Sequence, residues 1–104
     1  MITKELLSEV LGYQVRHVKM FEGYGNTVYY SEEIVLWRWK TINIYELEHK
    51  CISWASYNGY QFRIYIDKVG KVYEIGKIGY GWDCFKTDNA IKACQWILEN
   101  KDKK

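Results

Sequence analysis

The chain has 104 residues, with 15 basic and 13 acidic side chains and a formal net charge of +2. That balance does not by itself indicate a polyanion partner, and 48% hydrophobic content is a globular value rather than a disordered one. A chain of this length predicts a single domain over 1–104. Aromatic residues make up 17% of the chain, which is more than one small core usually holds. Partly exposed Tyr and Trp rings are typical of binding surfaces.

Cysteine usage and the N-terminal stretch predict a cytoplasmic protein. The three cysteines include no CxxC pair, which favours free thiols in a reducing compartment. The opening "MITKELLSEVLG" lacks the apolar core of a signal peptide. No run of apolar residues is long enough for a membrane span, so we expect no membrane association.

Helical spacing of apolar residues predicts three helices, each with a start or stop signal. Thr3 can cap the first helix and Gly12 can end it. Asn43 can cap the second, and either Thr87 or Asp88 can cap the third. The predicted helices are 3–11, 43–57 and 88–100.

Between the helices the apolar period becomes two, which predicts strands. Phe62 and Ile64 should point inward and Arg63 outward. In the first strand the alternation breaks at His17–Val18, which predicts a bulge. The predicted strands are 13–21, 27–31 and 33–40 in the first half, and about 60–66, 72–75 and 80–85 in the second.

A five-residue phrase occurs twice, as "GYQVR" at 12–16 and "GYQFR" at 59–63. A second shared pattern, Lys-Thr-x-Asn, begins at Lys40 and again at Lys86, at nearly the same distance downstream. Matched phrases at matched spacing indicate a duplicated unit, with pseudo-repeats over about 1–57 and 43–104 that share the middle helix.

The duplication predicts an α+β fold with the order α-βββ-α-βββ-α. Short loops favour an antiparallel sheet with the helices packed on one face. Within the repeated phrase, Arg16 and Arg63 should occupy equivalent places on the face away from the core. A sheet edge left uncovered would allow a homodimer to form through that edge.

Catalytic signals are weak, and we predict no enzymatic activity, no cofactor and no metal. Glu46 and His49 have the spacing of one half of a metal motif, but a capping Glu and a surface His explain them better. Cys51 and Cys94 lie on inward helix faces and are expected in the core. An enzyme hypothesis would use Cys84 or His17.

The stretch "GKIGYG" at 76–81 resembles a phosphate-binding glycine loop only superficially. Such a loop should lead directly into a helix, and here another strand is predicted first. Glycines at a strand end or bulge are the preferred interpretation.

A basic and aromatic sheet face is the best candidate site. It could be a protein interface, where Tyr, Trp and Arg are common anchors, or a surface that stacks bases and contacts phosphates. It could also be a solvated face whose cations pair with Glu22, Glu32, Glu33, Glu74 and Asp83. The candidate binding residues are Arg16, Lys19, Trp37, Arg38, Trp39, Lys40, Arg63, Tyr65, Lys71, Tyr73 and Lys77.

Residues 44–99, which end in "KTDNAIKACQWILE", resemble a double-stranded RNA-binding domain in their helix, three strands, helix order. That resemblance implies RNA binding, with Lys86 and Lys92 gripping phosphates at the start of the final helix.

The stretch "INIYELEHKCISWASYNGY" at 42–60 resembles small uncharacterised proteins of bacteria and their prophages. This resemblance implies an accessory or anti-defence role, such as an anti-CRISPR-like inhibitor that binds a host protein complex. The preferred hypothesis is therefore a non-enzymatic protein that binds a host protein or protein complex. A module binding RNA or DNA through the basic and aromatic face is the alternative.

Overall fold

The computed structural model describes residues 2–20, 26–33, 38–82 and 84–101. These residues form an α+β structure in the predicted order α-βββ-α-βββ-α, with antiparallel pairing throughout, so the predicted fold class is confirmed. The strands form two three-stranded sheets. The elements are α1 Lys4–Leu11, β1 His17–Met20, β2 Thr27–Ser31, β3 Lys40–Asn43, α2 Ile44–Tyr57, β4 Tyr60–Asp67, β5 Gly70–Lys77, β6 Phe85–Thr87 and α3 Ala90–Asn100.

The chain divides into two compact units, Met1–Lys50 and Cys51–Lys104, and the boundary falls inside α2. It therefore lies within the helix, 43–57, that the pseudo-repeats were expected to share. None of the described helices combines the length and the apolar character that a membrane crossing requires.

The first unit begins with a capped helix. Thr3 accepts a hydrogen bond from the Leu6 N–H, as predicted, and Gly12 ends α1 with a left-handed backbone at φ +83°. Ser8 then ties down the segment after the helix, because its Oγ accepts the Val15 N–H at 2.8 Å. This bond gives Val15 a partner outside the sheet, so β1 starts at His17 rather than at 13 as predicted.

The sheet of the first unit is a meander in the order β1-β2-β3. Val18 pairs with Tyr30, and Tyr30 pairs in turn with Lys40. His17 and Val18 occupy consecutive pairs of a regular ladder, so the predicted bulge at this point is wrong. The buried hydrophobic side chains among the described residues of this unit are Ile2, Leu6, Leu7, Val15, Val28, Tyr30, Ile42 and Leu47.

The sheet of the second unit has the order β4-β5-β6, and a two-residue loop, Lys68 and Val69, joins its first two strands. Trp96 of α3 stacks on Phe85 at 5.4 Å between ring centroids and meets Tyr60 edge-on at 6.4 Å. Because α3 covers the side of the sheet that carries Tyr60, Phe85 and Ile75, we call this side the core face. The opposite side is called the outer face.

The third strand of each meander lies closer to the following helix than the sequence predicted. Predicted strands at 33–40 and 80–85 are found at Lys40–Asn43 and Phe85–Thr87. The β-branched threonines of both Lys-Thr patterns pair in the ladders, and of the aromatic residues before them Phe85 pairs with Ile75 whereas Trp39 precedes β3. The third helix accordingly starts at Ala90 and is capped by Asn89, not by Thr87 or Asp88.

The two halves correspond at both predicted ends. Gly12 and Gly59 have φ of +83° and +84°, and each follows a helix. Asn43 accepts the N–H of the residue two positions on, at the start of α2, and Asn89 does the same at the start of α3. The repeated phrases therefore mark a helix end, and the Lys-Thr-x-Asn patterns mark a helix start.

The prediction that Arg16 and Arg63 occupy equivalent places is wrong. In the first sheet Lys40 pairs with Tyr30, and Tyr30 pairs with Val18. In the second sheet Lys86 pairs with Glu74, and Glu74 pairs with Arg63. Aligned on the Lys-Thr pattern, Arg63 therefore matches Val18 and not Arg16. Two additional residues lie between Gly12 and this point of the ladder, which shifts Arg16 by two positions along the strand.

Candidate binding surface

The predicted basic and aromatic residues do not form a single face. In the first unit, Lys19 pairs with Tyr29 on one side of the sheet, while Lys40 pairs with Tyr30 on the other. Trp37 lies outside the described residues. Arg16 and Arg38 are exposed but lie outside the strands.

Two lysines of the first unit, Lys40 and Lys19, already have partners. Lys40 Nζ lies 2.9 Å from Glu32 Oε1 and 5.4 Å from the centroid of the Tyr13 ring. The hydrogen bond to Glu32 raises the pKa of Lys40. Lys19 Nζ lies 5.0 Å from the centroid of a Trp39 ring, so it is positioned for a cation–π contact.

In the second unit, Lys71, Tyr73 and Lys77 lie on the core-face side, because they pair with Ile66, Ile64 and Tyr60. Tyr73 is only 6% exposed, so its predicted place on a binding surface is wrong. The register between β4 and β5 puts the odd-numbered residues of β5 on the core face. Lys71, Tyr73 and Lys77 therefore do not share a face with Arg63. Arg63 and Tyr65 lie on the outer face, as the alternation of β4 predicted.

Arg63 belongs to a compact cluster built around Glu74. The two residues are direct cross-strand partners, and both Nε and Nη2 of Arg63 donate to Glu74 Oε1, with Nε at 2.9 Å. Lys86 Nζ, from β6, lies 3.4 Å from the other carboxylate oxygen. The Glu74 side chain is 3% exposed, while those of Arg63 and Lys86 are 50% and 63% exposed.

The electrostatics of the cluster keep Glu74 ionised. The hydrogen bonds from Arg63, and then those from Lys86, lower the pKa of Glu74 against the opposing effect of burial. Glu74 in turn raises the pKa of Lys86. One carboxylate between two cations leaves the cluster with one net positive charge, on side chains that face solvent.

The loop between β5 and β6 completes the cluster with an aromatic ring. The guanidinium carbon of Arg63 lies 4.8 Å from the centroid of a Trp82 ring and 5.8 Å from that of Tyr65. The loop can cross the outer face here because Gly76 has no side chain, and a Cβ at Gly76 would overlap the Gly81 carbonyl oxygen. Gly76 therefore lies near a strand end, as predicted, and permits the close approach of the loop.

Two large apolar side chains on the same loop are exposed. Tyr80 is 87% exposed and Ile78 is 51% exposed. Because this loop also carries Trp82, we group them with the cluster under the name outer-face surface: Arg63, Tyr65, Ile78, Tyr80, Trp82 and Lys86. Sequence reasoning missed Trp82 and Tyr80, because the sequence of a loop does not specify which part of the sheet the loop packs against. The pairing of Arg63 with Glu74, by contrast, follows from counting outward from the two-residue loop at Lys68 and Val69.

Within the described residues, no three His, Cys, Asp or Glu side chains come together as a metal site would require. Cys51 and Cys94 are fully buried, and the Cys94 thiol donates to the Cys51 carbonyl oxygen at 3.2 Å. That contact with Cys51 and burial raise the pKa of Cys94, so this thiol is not activated as a nucleophile. The centroids of the His17 and Trp39 rings lie 6.5 Å apart. The side chain of Cys84 is half-buried.

The two lysines nominated by the resemblance to RNA-binding domains are in ion pairs. Lys86 pairs with Glu74, and Lys92 Nζ lies 3.3 Å from Asp88 Oδ1, four residues earlier in the chain. Comparison with protein-family models, with curated proteins and with solved structures finds no match to this chain.

Proposed function

We propose that the protein is a non-enzymatic binding protein that docks on another protein through the outer-face surface. The observation that carries the proposal is the arrangement of Arg63, whose guanidinium is fixed by Glu74 and lies beside the Trp82 ring. Arg, Trp and Tyr are the residues that most often dominate protein interfaces. The bonds to Glu74 restrain the Arg63 guanidinium before binding, which reduces the entropy lost on association.

The surface also has the composition that an interface needs around such anchors. Tyr80 and Ile78 offer exposed apolar area on the loop that carries Trp82, and exposed apolar groups beside polar ones are typical of interaction sites. The net positive charge of the cluster favours a partner that presents a carboxylate beside an apolar patch.

The resemblance to small prophage proteins supports a finer form of this proposal, in which the partner is a host protein complex and binding inhibits it. Free thiols at Cys51, Cys84 and Cys94 support a reducing, cytoplasmic setting.

Nucleic-acid binding is the less favoured function, because several of the cations it would use are matched by carboxylates. Arg63 and Lys86 share Glu74, Lys40 pairs with Glu32, and Lys92 pairs with Asp88. A phosphate would have to compete with these carboxylates, and the overall net charge is only +2.

The test is affinity purification of the tagged protein from its native host, followed by measurement of affinity for the recovered partner. We expect Trp82→Ala and Tyr80→Ala each to weaken binding by roughly tenfold or more, as truncation of an interface anchor does. Tyr57→Ala is the matched control, since Tyr57 is 92% exposed on α2 and lies outside the outer-face surface. Equal binding by all three variants, or recovery of no stoichiometric partner, would overturn the proposal.

A gel-shift series with duplex RNA, duplex DNA and single strands separates the alternative. Binding that weakens steeply with salt and is reduced by Lys86→Ala would favour nucleic acid. No shift at low salt would remove that alternative.

A further inference from the structure

Strand β4 forms one edge of the second unit's sheet, and its outward groups can be assigned. The loop of two residues closes on the pair Asp67 and Gly70, and a loop of this length closes on a hydrogen-bonded pair. The same alternation of hydrogen-bonded pairs holds beyond the other end of the strand, where the Ile78 N–H donates to the Gly59 carbonyl at 2.9 Å. Odd-numbered residues of β4 therefore bond to β5.

Because bonding alternates along an antiparallel strand, the N–H and C=O groups of Ile64 and Ile66 point away from β5. These two residues also present exposed apolar side chains, with Ile64 47% and Ile66 83% exposed. Such an edge is a template for another strand.

The sequence of this edge is complementary to itself. From Arg63 to Asp67 it reads Arg-Ile-Tyr-Ile-Asp, so the central Tyr65 is flanked by isoleucines and then by opposite charges. An antiparallel copy centred on Tyr65 would pair Arg63 with Asp67 of the other copy, and Ile64 with Ile66, each contact occurring twice.

We propose that the protein forms a two-fold symmetric homodimer through the β4 edge, centred on Tyr65, with a continuous six-stranded sheet. Ile64 and Ile66 are then hydrogen-bonded partners across the axis, which matches the outward direction of their backbone groups. The Tyr65 residues meet as a non-hydrogen-bonded pair, the closer of the two kinds. Arg63 can reach a second carboxylate, because its two bonds to Glu74 use only part of its five donors.

Neighbouring registers are less favourable. A two-fold axis at Arg63 would place the two guanidinium groups opposite each other, and like charges in that position destabilise a sheet. An axis at Ile64 would set Asp67 against Gln61 and leave the charge of Arg63 facing Tyr65. Only the axis at Tyr65 matches both charges and both apolar pairs.

This inference goes beyond the proposed function and does not depend on it. Residues directly opposite in a sheet share a face, so the two outer faces would lie on the same side of the six-stranded sheet. The dimer would then present two copies of the outer-face surface side by side to a partner.

Sedimentation equilibrium of the purified protein tests the proposal without any partner present, so its failure leaves the proposed function intact. The expected mass is twice the 12.5 kDa of the chain. Ile66→Lys should return the protein to the monomer, because it puts a charge opposite Ile64 of the other copy. Tyr57→Lys, an equally exposed apolar-to-lysine change, should leave the dimer intact. A monomer for the wild type up to about 1 mM, the weak end of specific association, would overturn the proposal.

Disulfide trapping tests the register. In a Cys84→Ser background, mild oxidation should link Tyr65→Cys to itself across the axis, where Cα atoms are about 4.5 Å apart. Ile64→Cys is the control, since its two copies would be about 8 Å apart, beyond the reach of a disulfide. Equal cross-linking of the two variants, or none of Tyr65→Cys in a sample of dimer mass, would overturn the register and with it the proposed edge.

Discussion

Arg63 and Glu74 face each other across β4 and β5, and the nearly buried carboxylate of Glu74 accepts two hydrogen bonds from the guanidinium. The pair has a consequence for stability against pH. The pKa of Glu74 is lowered in the folded protein. Its ionisation therefore stabilises the fold at pH values above 4.5, the ordinary pKa of the group. That stabilisation is lost as the pH falls through the lowered folded-state value.

We therefore expect the urea midpoint of the wild type to fall as the pH drops below about 4.5, as linkage requires. Glu74→Gln should flatten this dependence, while a smaller part remains because Lys92 also lowers the pKa of Asp88. Arg63→Ala should destabilise the protein at neutral pH, because the nearly buried Glu74 carboxylate loses its ion pair with Arg63 and keeps the one with Lys86. Identical pH profiles for the wild type and Glu74→Gln would contradict the assignment.

Gly76 is predicted to be intolerant of substitution for a steric reason. Its backbone does not need glycine, but a Cβ would overlap the Gly81 carbonyl and lie 2.8 Å from the Trp82 Cα. Gly76→Ala should destabilise the fold by about 2 to 3 kcal/mol, the upper part of the range for an overpacked site, and should displace Trp82 from Arg63. Urea unfolding and Trp fluorescence measure the two effects.

Gly12→Ala is the matched control for Gly76→Ala, because its φ of +83° requires glycine while no atom lies within 4 Å of the added Cβ. It should cost about 1 kcal/mol from backbone conformation alone. If both variants lose the same stability, and Trp fluorescence does not change in Gly76→Ala, the close approach of the loop is not what requires the glycine.

The sequence predicted the order and type of every element, and it located the helix ends that depend on local chemistry. Thr3, Gly12 and Gly59 act through bonds or dihedral angles within their own neighbourhood, and these signals were read correctly. The positions of β3 and β6 were wrong since aromatic residues favour strands wherever they occur. Whether such a segment pairs depends on the register of β2 and β5, which the local sequence does not specify.

The candidate site was predicted less completely for the same reason. Arg63 and Tyr65 were assigned to the correct face because alternation along one strand is a local property. Tyr73 was assigned to the wrong face, since a face shared between strands depends on register. Trp82 reaches Arg63 because the loop returns and packs its backbone against Gly76 of β5. Composition and spacing do not encode this long-range contact.

The two asparagine caps offer a test of the repeated architecture. Asn89 accepts the N–H groups of Ile91 and Lys92 at 2.7 and 3.2 Å, whereas Asn43 accepts that of Tyr45 at 2.8 Å. Replacing either cap by Ala should reduce the free energy of unfolding by about 1 kcal/mol. We expect the larger loss at Asn89, because two N–H groups lose their acceptor there.

Asn43→Asp and Asn89→Asp are the conservative controls, since an Asp side chain can accept the same bonds. Each should retain most of the wild-type stability in urea unfolding. Equal losses for Ala and Asp at one site would show that the bonds of the asparagine side chain are not what stabilises that helix start.

The three thiols should differ in reactivity. Cys51 and Cys94 are fully buried, and the pKa of Cys94 is raised, so neither should react with an aromatic disulfide reagent in the native protein. Cys84 is half-buried and should be the thiol that reacts. Native labelling should therefore give about one thiol per chain and fall to almost none in Cys84→Ser, while denatured protein gives all three. Rapid native labelling of Cys84→Ser would show that the core around Cys94 opens readily.

Tyr30 should remain protonated at a pH where an ordinary phenol has ionised. Burial, and then the hydrogen bond with the Tyr13 hydroxyl at 3.1 Å, raise the pKa of Tyr30 to about 12 from an ordinary 10.0. A raised folded-state pKa means that the stabilisation is fully present below pH 10 and is lost as the pH rises toward 12. Tyrosinate absorbance should show a late phase that disappears in Tyr30→Phe and persists in Tyr57→Phe. A late phase that survives in Tyr30→Phe would assign the retained proton to another tyrosine, and the buried contact with Tyr13 would then not govern this titration.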